Sequence, residues 1–496
     1  MLFENLQNIA ARAPSSGLRA DGRLHTYADL SERALAIAQT LSERGIGAGD
    51  AVAILLPNGP ALFALVYALF ALGAIALPLN IAAPPLELAA AMRRARPQAL
   101  IGRRIGSIDL PQLARLYAPQ GDLPVLFADD EGDDGILRGA KGASRSFRAP
   151  GADAVALYLF SSGSTGLPKV VPHTHGEMLA NARATAHDFA LMPDDVVFNN
   201  LPGHHAMGFL NSVFEVPQGG ATTFNYSDPN SVLLTRGRLL EAVRTEGVTI
   251  LPGVPFLFDA LAAETAEHDL GRLRLVYSAG VSLKRPTYDK FLARWGFAIR
   301  QAYGCTEAGH VAFNRASDVS QSWDSVGRPV GDTVVEVVAS EDSPDGKLGE
   351  LAFRSSSLTK GYLGQGQLND LAFAGGRFAT GDLGRIDEDG NIIIKGRSKL
   401  IVEVAGHKVD PLEVEEVISQ HPAVAEAVVV GVPDPRNGEQ RLKMVVVKSS
   451  DTSPEALIRF CRERLAPQKV PAVVEFVETI PKSATGKILR GRLMEA

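Results

Sequence analysis

A chain of 496 residues, 46% hydrophobic and 21% charged, has a globular balance and enough apolar material for one large and one small domain, which argues against a disordered or fibrous chain. Its net charge of −6 argues against a nucleic-acid partner, since gripping a phosphate backbone takes an excess of Lys and Arg. Two distant cysteines, Cys305 and Cys461, fit neither a disulfide framework nor a zinc site, and the start lacks a basic stretch leading into an apolar run, so the expected setting is cytoplasmic.

In chain order, residues 31–45 read as a helix and 51–56 as a short buried strand. Residues 61–79 are uncharged and nearly all apolar, close to membrane-spanning length. Their alanine content, Gly73 and Pro78, and the flanking Pro60 and Asn80 predict instead a buried helix running into a buried strand, with no transmembrane segment. Further strands are expected at 154–160, 196–202, 247–253 and 273–280, with a helix over 178–190 between them. Strand and helix in alternation predict an α/β domain with largely parallel sheets. After about residue 330 the pattern changes. Residues 334–340, 349–356 and 390–397, joined by Asp-Gly and Gly-Gly turns, read as an antiparallel meander. A strand, a turn and an acidic helix are expected over 399–418, then strands at 423–434 and 443–448 and an amphipathic helix at 455–465. That stretch suits a small α+β domain, and a boundary near Gly396 to Lys399 divides the chain into 1–396 and 397–496.

The strand at 154–160 runs into Ser161-Ser162-Gly163-Ser164-Thr165-Gly166-Leu167-Pro168-Lys169. Small residues let backbone N–H groups and hydroxyls close around phosphate oxygens without Cβ clashes. The spacing is not that of the P-loop, and a Ser/Gly run by itself also suits a plain surface loop. The appended Pro168-Lys169, at a strand end, favours phosphate. This string resembles the phosphate-loop signature of the acyl-adenylate-forming superfamily, which takes in acyl-CoA synthetases, adenylation domains and luciferase-like enzymes. Further motifs follow in that family's order along nearly the whole chain, and the acyl-CoA synthetases are the nearest branch.

The resemblance implies a large N-terminal domain of α/β subdomains with a β-barrel-like subdomain, and a small mobile C-terminal α+β domain. It implies ATP held by Ser161, Ser162, Gly163, Ser164, Thr165, Gly166 and Lys169, by Ser278-Ala279-Gly280, and by Ala302-Tyr303-Gly304-Cys305-Thr306-Glu307. Tyr303 would stack on adenine, Thr306 contact the α-phosphate, and Glu307 ligate Mg²⁺, a hard cation that takes oxygen ligands from one carboxylate, phosphates and water. Thr380-Gly381-Asp382, read as a turn, resembles the segment whose Asp accepts from the ribose hydroxyls; Arg397 would join it, with Lys399 at the hinge. Residues 404–408 resemble the loop lining a thiol tunnel, where Gly406 lets the backbone approach the thiol arm. Residues 481–488 resemble the C-terminal motif whose catalytic lysine is Lys487, a mobile point charge suited to a transition state that spreads negative charge.

Residues 201–208 resemble the segment that places His205 at the gate of an acyl pocket. The walls implied are His205, Met207, Gly208, Phe209, Asn211, Val254, Ser278, Gly280, Ala308, Gly309 and His310. Three positions depart from the family pattern: His204 replaces an apolar or aromatic residue, Val281-Ser282 replaces a Pro-Leu pair, and Glu403 stands where some relatives carry a base. No acidic residue precedes Glu215 after the His motif, which argues against an α-amino acid, and no Arg stands in the pocket motifs to meet a second carboxylate. Mostly apolar walls fit a fatty or an aromatic acid. The expected reaction joins that acid to AMP and passes it to CoA. The alternatives are transfer to the phosphopantetheine arm of a separate carrier protein, a silent nucleotide binder, and a luciferase-like oxidation. Intact Thr306, Glu307, Asp382, Arg397 and Lys487 favour catalysis over silent binding.

Overall fold

The computed structural model describes residues 1–103, 109–118, 121, 123–128, 147–161, 169–227, 232–339, 348–397, 400, 402–404, 407–409, 411–434, 440–465, 467–482 and 488–494, with Leu233, Ala339, Arg397, Glu403, His407, Lys408 and Gln468 described by backbone alone. They divide into two compact units. The first takes in Met1–Val335, Phe353–Ala379 and Asp387–Ile392, and the second Glu336–Ala352, Thr380–Ile386 and Ile393–Ala496.

The first unit is built on two sheets. A six-stranded sheet runs Val125–Phe127, Ala99–Gly102, Ala51–Leu55, Ile75–Pro78, Val155–Ser161, Lys169–Thr174. Its pairs are parallel except the last, where Ser161 stands opposite Lys169. A nine-stranded sheet runs Arg328–Pro329, Gly309–Phe313, Arg300–Cys305, Leu275–Ser278, Ile250–Gly253, Val196–Asn199, Thr222–Asn225, Gly17–Ala20, Arg23–Thr26. Its centre is parallel, and antiparallel pairs close both edges. All five expected strands of the α/β region are present; four are shortened to buried cores and the one expected at 154–160 runs Val155–Ser161. The expected helix over 31–45 begins earlier, at Tyr27, because Thr26 and Asp29 form a capping box there.

The apolar stretch resolves as expected. Pro60 opens a helix, Pro60–Leu72, whose residues from Leu62 onward are all buried; Gly73 closes it at φ 72° and the chain continues as the strand Ile75–Pro78. A helix apolar on every face belongs in a core. Among the described residues no helix is long and apolar enough to cross a membrane.

A four-stranded sheet pairs Val334–Ala339, Gly349–Arg354, Phe378–Ile386 and Ile392–Arg397 in chain order, the sequential pairing of a meander. Its third strand was not expected, and it carries Thr380-Gly381-Asp382 inside a strand where a turn was read. Turn-forming residues misled there, because Gly381 at φ 73° is accommodated within the ladder. The rest of the second unit is α+β, as expected. Val424–Pro433 and Gln440–Lys448 pair antiparallel and bury Val429, Met444 and Val446 against the helices Pro411–Ile418 and Pro454–Arg462. An edge strand, Val473–Phe476, joins them in parallel and had no clear alternation to betray it.

Candidate active site

The strand Arg300–Cys305 ends in a turn at Thr306–Ala308 and returns as Gly309–Phe313, with a bulge between Tyr303 and Gly304. Gly309 makes the return possible: its φ is 75°, and a Cβ there would lie 2.4 Å from Asn181 Oδ1. The Asn181 amide donates to the carbonyls of Ala308 at 2.9 Å and His310 at 3.2 Å, pinning the turn to the helix His175–Asp188. Two further bonds hold its backbone. Thr359 N–H donates to the Glu307 carbonyl at 2.9 Å, and His173 Nε2–H donates to the Thr306 carbonyl at 2.7 Å. Burial pushes the His173 imidazole down to about 4, outweighing the opposing pull of the Thr306 carbonyl, so the ring is neutral near pH 7.

The buried Glu307 carboxylate accepts the Tyr362 hydroxyl through Oε1 at 2.8 Å. Lys169 Nζ lies 4.6 Å from the centre of the Tyr362 ring, so the ring brings Lys169 and the acidic residue of the turn to one place. Burial, then the neighbouring Glu307 charge, drives the Tyr362 phenol far above its ordinary range, which keeps it a donor. One oxygen of the carboxylate is thus engaged by a neutral donor. Among the described residues no cluster of three or more His, Cys, Asp or Glu side chains forms a metal cage. A lone carboxylate with one oxygen tied to a neutral donor fits a cation that completes its shell with phosphate oxygens and water.

Four separate stretches that carry the expected pocket residues converge. Met207 packs against the cluster that contains Tyr277, Ala279 and Ala302. Gly280, at φ 85°, faces Val254, whose Cγ1 would be 3.8 Å from a Cβ at that position. The Ser278 hydroxyl is buried with no hydrogen-bond partner among the described residues. His205 precedes the helix Ala206–Leu210, and burial with the adjacent His205 pushes His204 down to about 4. That helix then widens into a π-turn, Asn211–Glu215. Asn211 Nδ2 donates to the Tyr277 hydroxyl at 2.7 Å, and Glu215 Oε1 lies 3.0 Å from His310 Nδ1. Phe209 packs in a different cluster, with Leu62, Tyr67 and Phe214, and Gly208 fits closely over Leu201.

In the second unit, Asp382 is buried, its N–H donates to Thr380 Oγ1 at 2.9 Å, and Thr380 in turn donates to the Leu351 carbonyl at 2.6 Å. Arg397 ends the strand Ile392–Arg397. Ser162, Gly163, Ser164, Thr165, Gly166, Lys399, Gly406 and Lys487 lie outside the described residues. Sequence reasoning missed Tyr362, His173, Asn181 and Tyr277. Of these only Tyr362 had a local signal, the Gly361 that precedes it.

A family model described as AMP-binding enzyme matches residues 6–363, and one described as AMP-binding enzyme C-terminal domain matches residues 413–487. A feruloyl-CoA synthase from an Amycolatopsis species is 32% identical over 491 residues, 97% of this chain and 95% of the relative. The ATP-bound structure of MatB from Rhodopseudomonas palustris superposes with a TM-score of 0.89 at 26% identity, covering 100% of this chain and 99% of that one. The o-succinylbenzoate CoA synthetase of Bacillus subtilis, solved with its acyl-adenylate intermediate, gives 0.86 at 25% identity over 99% of this chain and 98% of that one.

Proposed function

The chain belongs to the AMP-binding enzymes, in the AMP-forming acyl-CoA ligase family, and from that premise we propose that it activates a fatty or aromatic carboxylic acid with ATP and Mg²⁺ and passes the acyl group to CoA. A carboxylate is a poor electrophile, because its charge repels a thiolate and its oxygen is a poor leaving group. Attack by a carboxylate oxygen on the α-phosphorus of ATP forms a mixed anhydride and expels pyrophosphate. A CoA thiolate then attacks the acyl carbon, forms the thioester and expels AMP. One hard substitution becomes two easier ones.

The observation that carries this reading is the Thr306–Glu307 turn, fixed by His173, Thr359 and Tyr362. A backbone fixed at both residues keeps the Thr306 hydroxyl and the Glu307 carboxylate in place before the substrates arrive, and preorganised groups lose little to reorganisation in the transition state. Magnesium bound through Glu307 would supply neutralising charge to the triphosphate. Tyr303 stacks on the base in this reading, Ser278 to Gly280 line its edge, and the residues from Ser161 to Lys169 wrap the phosphates. Asp382 and Arg397 take the ribose hydroxyls. His205, Met207, Asn211, Val254, Ala308, Gly309 and His310 surround the acyl group.

The small domain, 397–496, serves both half-reactions in this reading. Lys399 is its hinge, Lys487 stabilises the adenylation transition state, and Gly406 lines the thiol tunnel once the domain has turned. Alternation of this kind keeps water from a hydrolysable intermediate. A chain with only two cysteines, Cys305 and Cys461, far apart in sequence, favours a cytoplasmic setting.

The test is pyrophosphate release with ATP and Mg²⁺ over a panel of fatty, aryl, dicarboxylic and amino acids, with and without CoA, and the thioester read by mass. Acid-dependent release with acyl-CoA formed on adding thiol is the expected result. Release with no CoA product would move the acceptor to a carrier protein, and no release with any acid would sink the ligase reading.

A further inference from the structure

Adenylation does not call for the polar set at the π-turn. Wide helical turns of this kind gather at functional sites. This one buries both Asn211 and Glu215 against two strands of the nine-stranded sheet, through Tyr277 and His310. The Glu215 side chain is 2% exposed and that of His310 6%. Burying such a pair brings no stability that well-packed apolar residues of the same volume would lack. Packing therefore gives no reason for it. The Glu215 Oε2 atom also has no hydrogen-bond partner among the described residues. The ring of His310 is held by Phe189, 4.9 Å away between centres, and Nδ1 is turned to Glu215. A carboxylate on one nitrogen of an imidazole fixes which way the other nitrogen presents. Met207, a wall of the acyl pocket in the reading above, packs on the same cluster as Tyr277.

We propose that Glu215 and His310 form a specificity pair of the acyl pocket, in which Glu215 positions the imidazole so that Nε2 hydrogen-bonds a hydroxyl carried by the acid at the end remote from its carboxylate. This rests on the ligase reading and narrows its substrate to hydroxy-substituted carboxylic acids. A hydroxyl both donates and accepts, so it pairs with the ring in either protonation state. A bare hydrocarbon end would bury the second nitrogen unpaired, the loss by which a polar site rejects an analogue lacking the group it reads.

The experiment compares kcat/KM for pyrophosphate release between matched acids, a hydroxyaryl acid with its unsubstituted parent and an ω-hydroxy fatty acid with its parent. Wild type, Glu215→Gln, Glu215→Asp and His310→Phe are each assayed. The wild type is expected to favour the hydroxylated member of one pair by about tenfold or more, the worth of one hydrogen bond. Glu215→Gln and His310→Phe should bring that ratio toward one, mainly through KM, and Glu215→Asp should restore part of it. Equal use of both members by the wild type, or variants that weaken both members equally, would overturn the pair's role. Should a variant fail to fold, the rise in wild-type melting temperature with each acid reads the same preference without turnover, and equal rises would overturn it too. Absence of release with every acid would instead defeat the ligase reading.

Discussion

Glu307 and Glu215 are both buried carboxylates beside the same strand, and they are partnered in opposite ways. Glu307 takes a hydroxyl from Tyr362, a neutral donor, whereas Glu215 faces the imidazole of His310. A phenol at one oxygen leaves the negative charge available to a cation, so Glu307 is suited to a metal. An imidazole can share or neutralise the charge, so Glu215 is suited to aiming a ring. Residue type alone does not assign a role to a buried acid; its partner does.

The largest effect expected on that comparison comes from removing the charge at the first site. Glu307→Gln should lower kcat/KM for pyrophosphate release by about 100- to 1,000-fold, the usual loss on deleting one electrostatic stabiliser. Excess Mg²⁺ should not restore it, and a titration of rate against Mg²⁺ checks both points. Tyr362→Phe leaves the carboxylate but frees its held oxygen. A hydrogen bond to a charged group is worth about 1.5–3 kcal/mol, so a loss of about ten- to hundredfold is expected, with a higher apparent Mg²⁺ requirement.

Acid should reach the Thr306 side through His173. Burial holds this imidazole near 4, below its ordinary 6.5, so between those values the unfolded chain binds the extra proton. Stability from this group is therefore complete above 6.5 and is lost as pH falls toward 4. His175 is lowered in the same direction, again by burial. At pH 5 each should cost roughly 2 kcal/mol relative to pH 7, read from urea midpoints at the two values. His173→Gln should remove its share of that slope. The smallest effect is expected at the helix that carries Asn181: Thr174→Ala loses the capping box with Glu177 and should cost about 1 kcal/mol, read from the same melts.

The fold was legible wherever a local rule decided it. The buried helix and strand across 60–78 follow from Pro60, Gly73 and unbroken apolarity, and the parallel strands from short β-branched runs bounded by Gly, Pro and Asp. The Phe378–Ile386 strand was missed because its Thr-Gly-Asp composition speaks locally for a turn, while sheet pairing on both sides decides otherwise. In the site, the Tyr303–Glu307 string and the Ser/Gly run can be read because their chemistry is contiguous. Tyr362 lies 55 residues from Glu307, and His310 lies 95 from Glu215. Neither separation can be bridged by a local pattern, although Gly361 beside Tyr362 marks that residue as lying at a chain reversal.

The account rests on reversible adenylation of the acid before any thiol is involved. Exchange of labelled pyrophosphate into ATP, measured with the acid and Mg²⁺ but without CoA, tests this most directly. Exchange that depends on the acid and is abolished in Glu307→Gln is the expected result. ADP and phosphate as products, with no exchange, would mean attack at the γ-phosphorus and would contradict it.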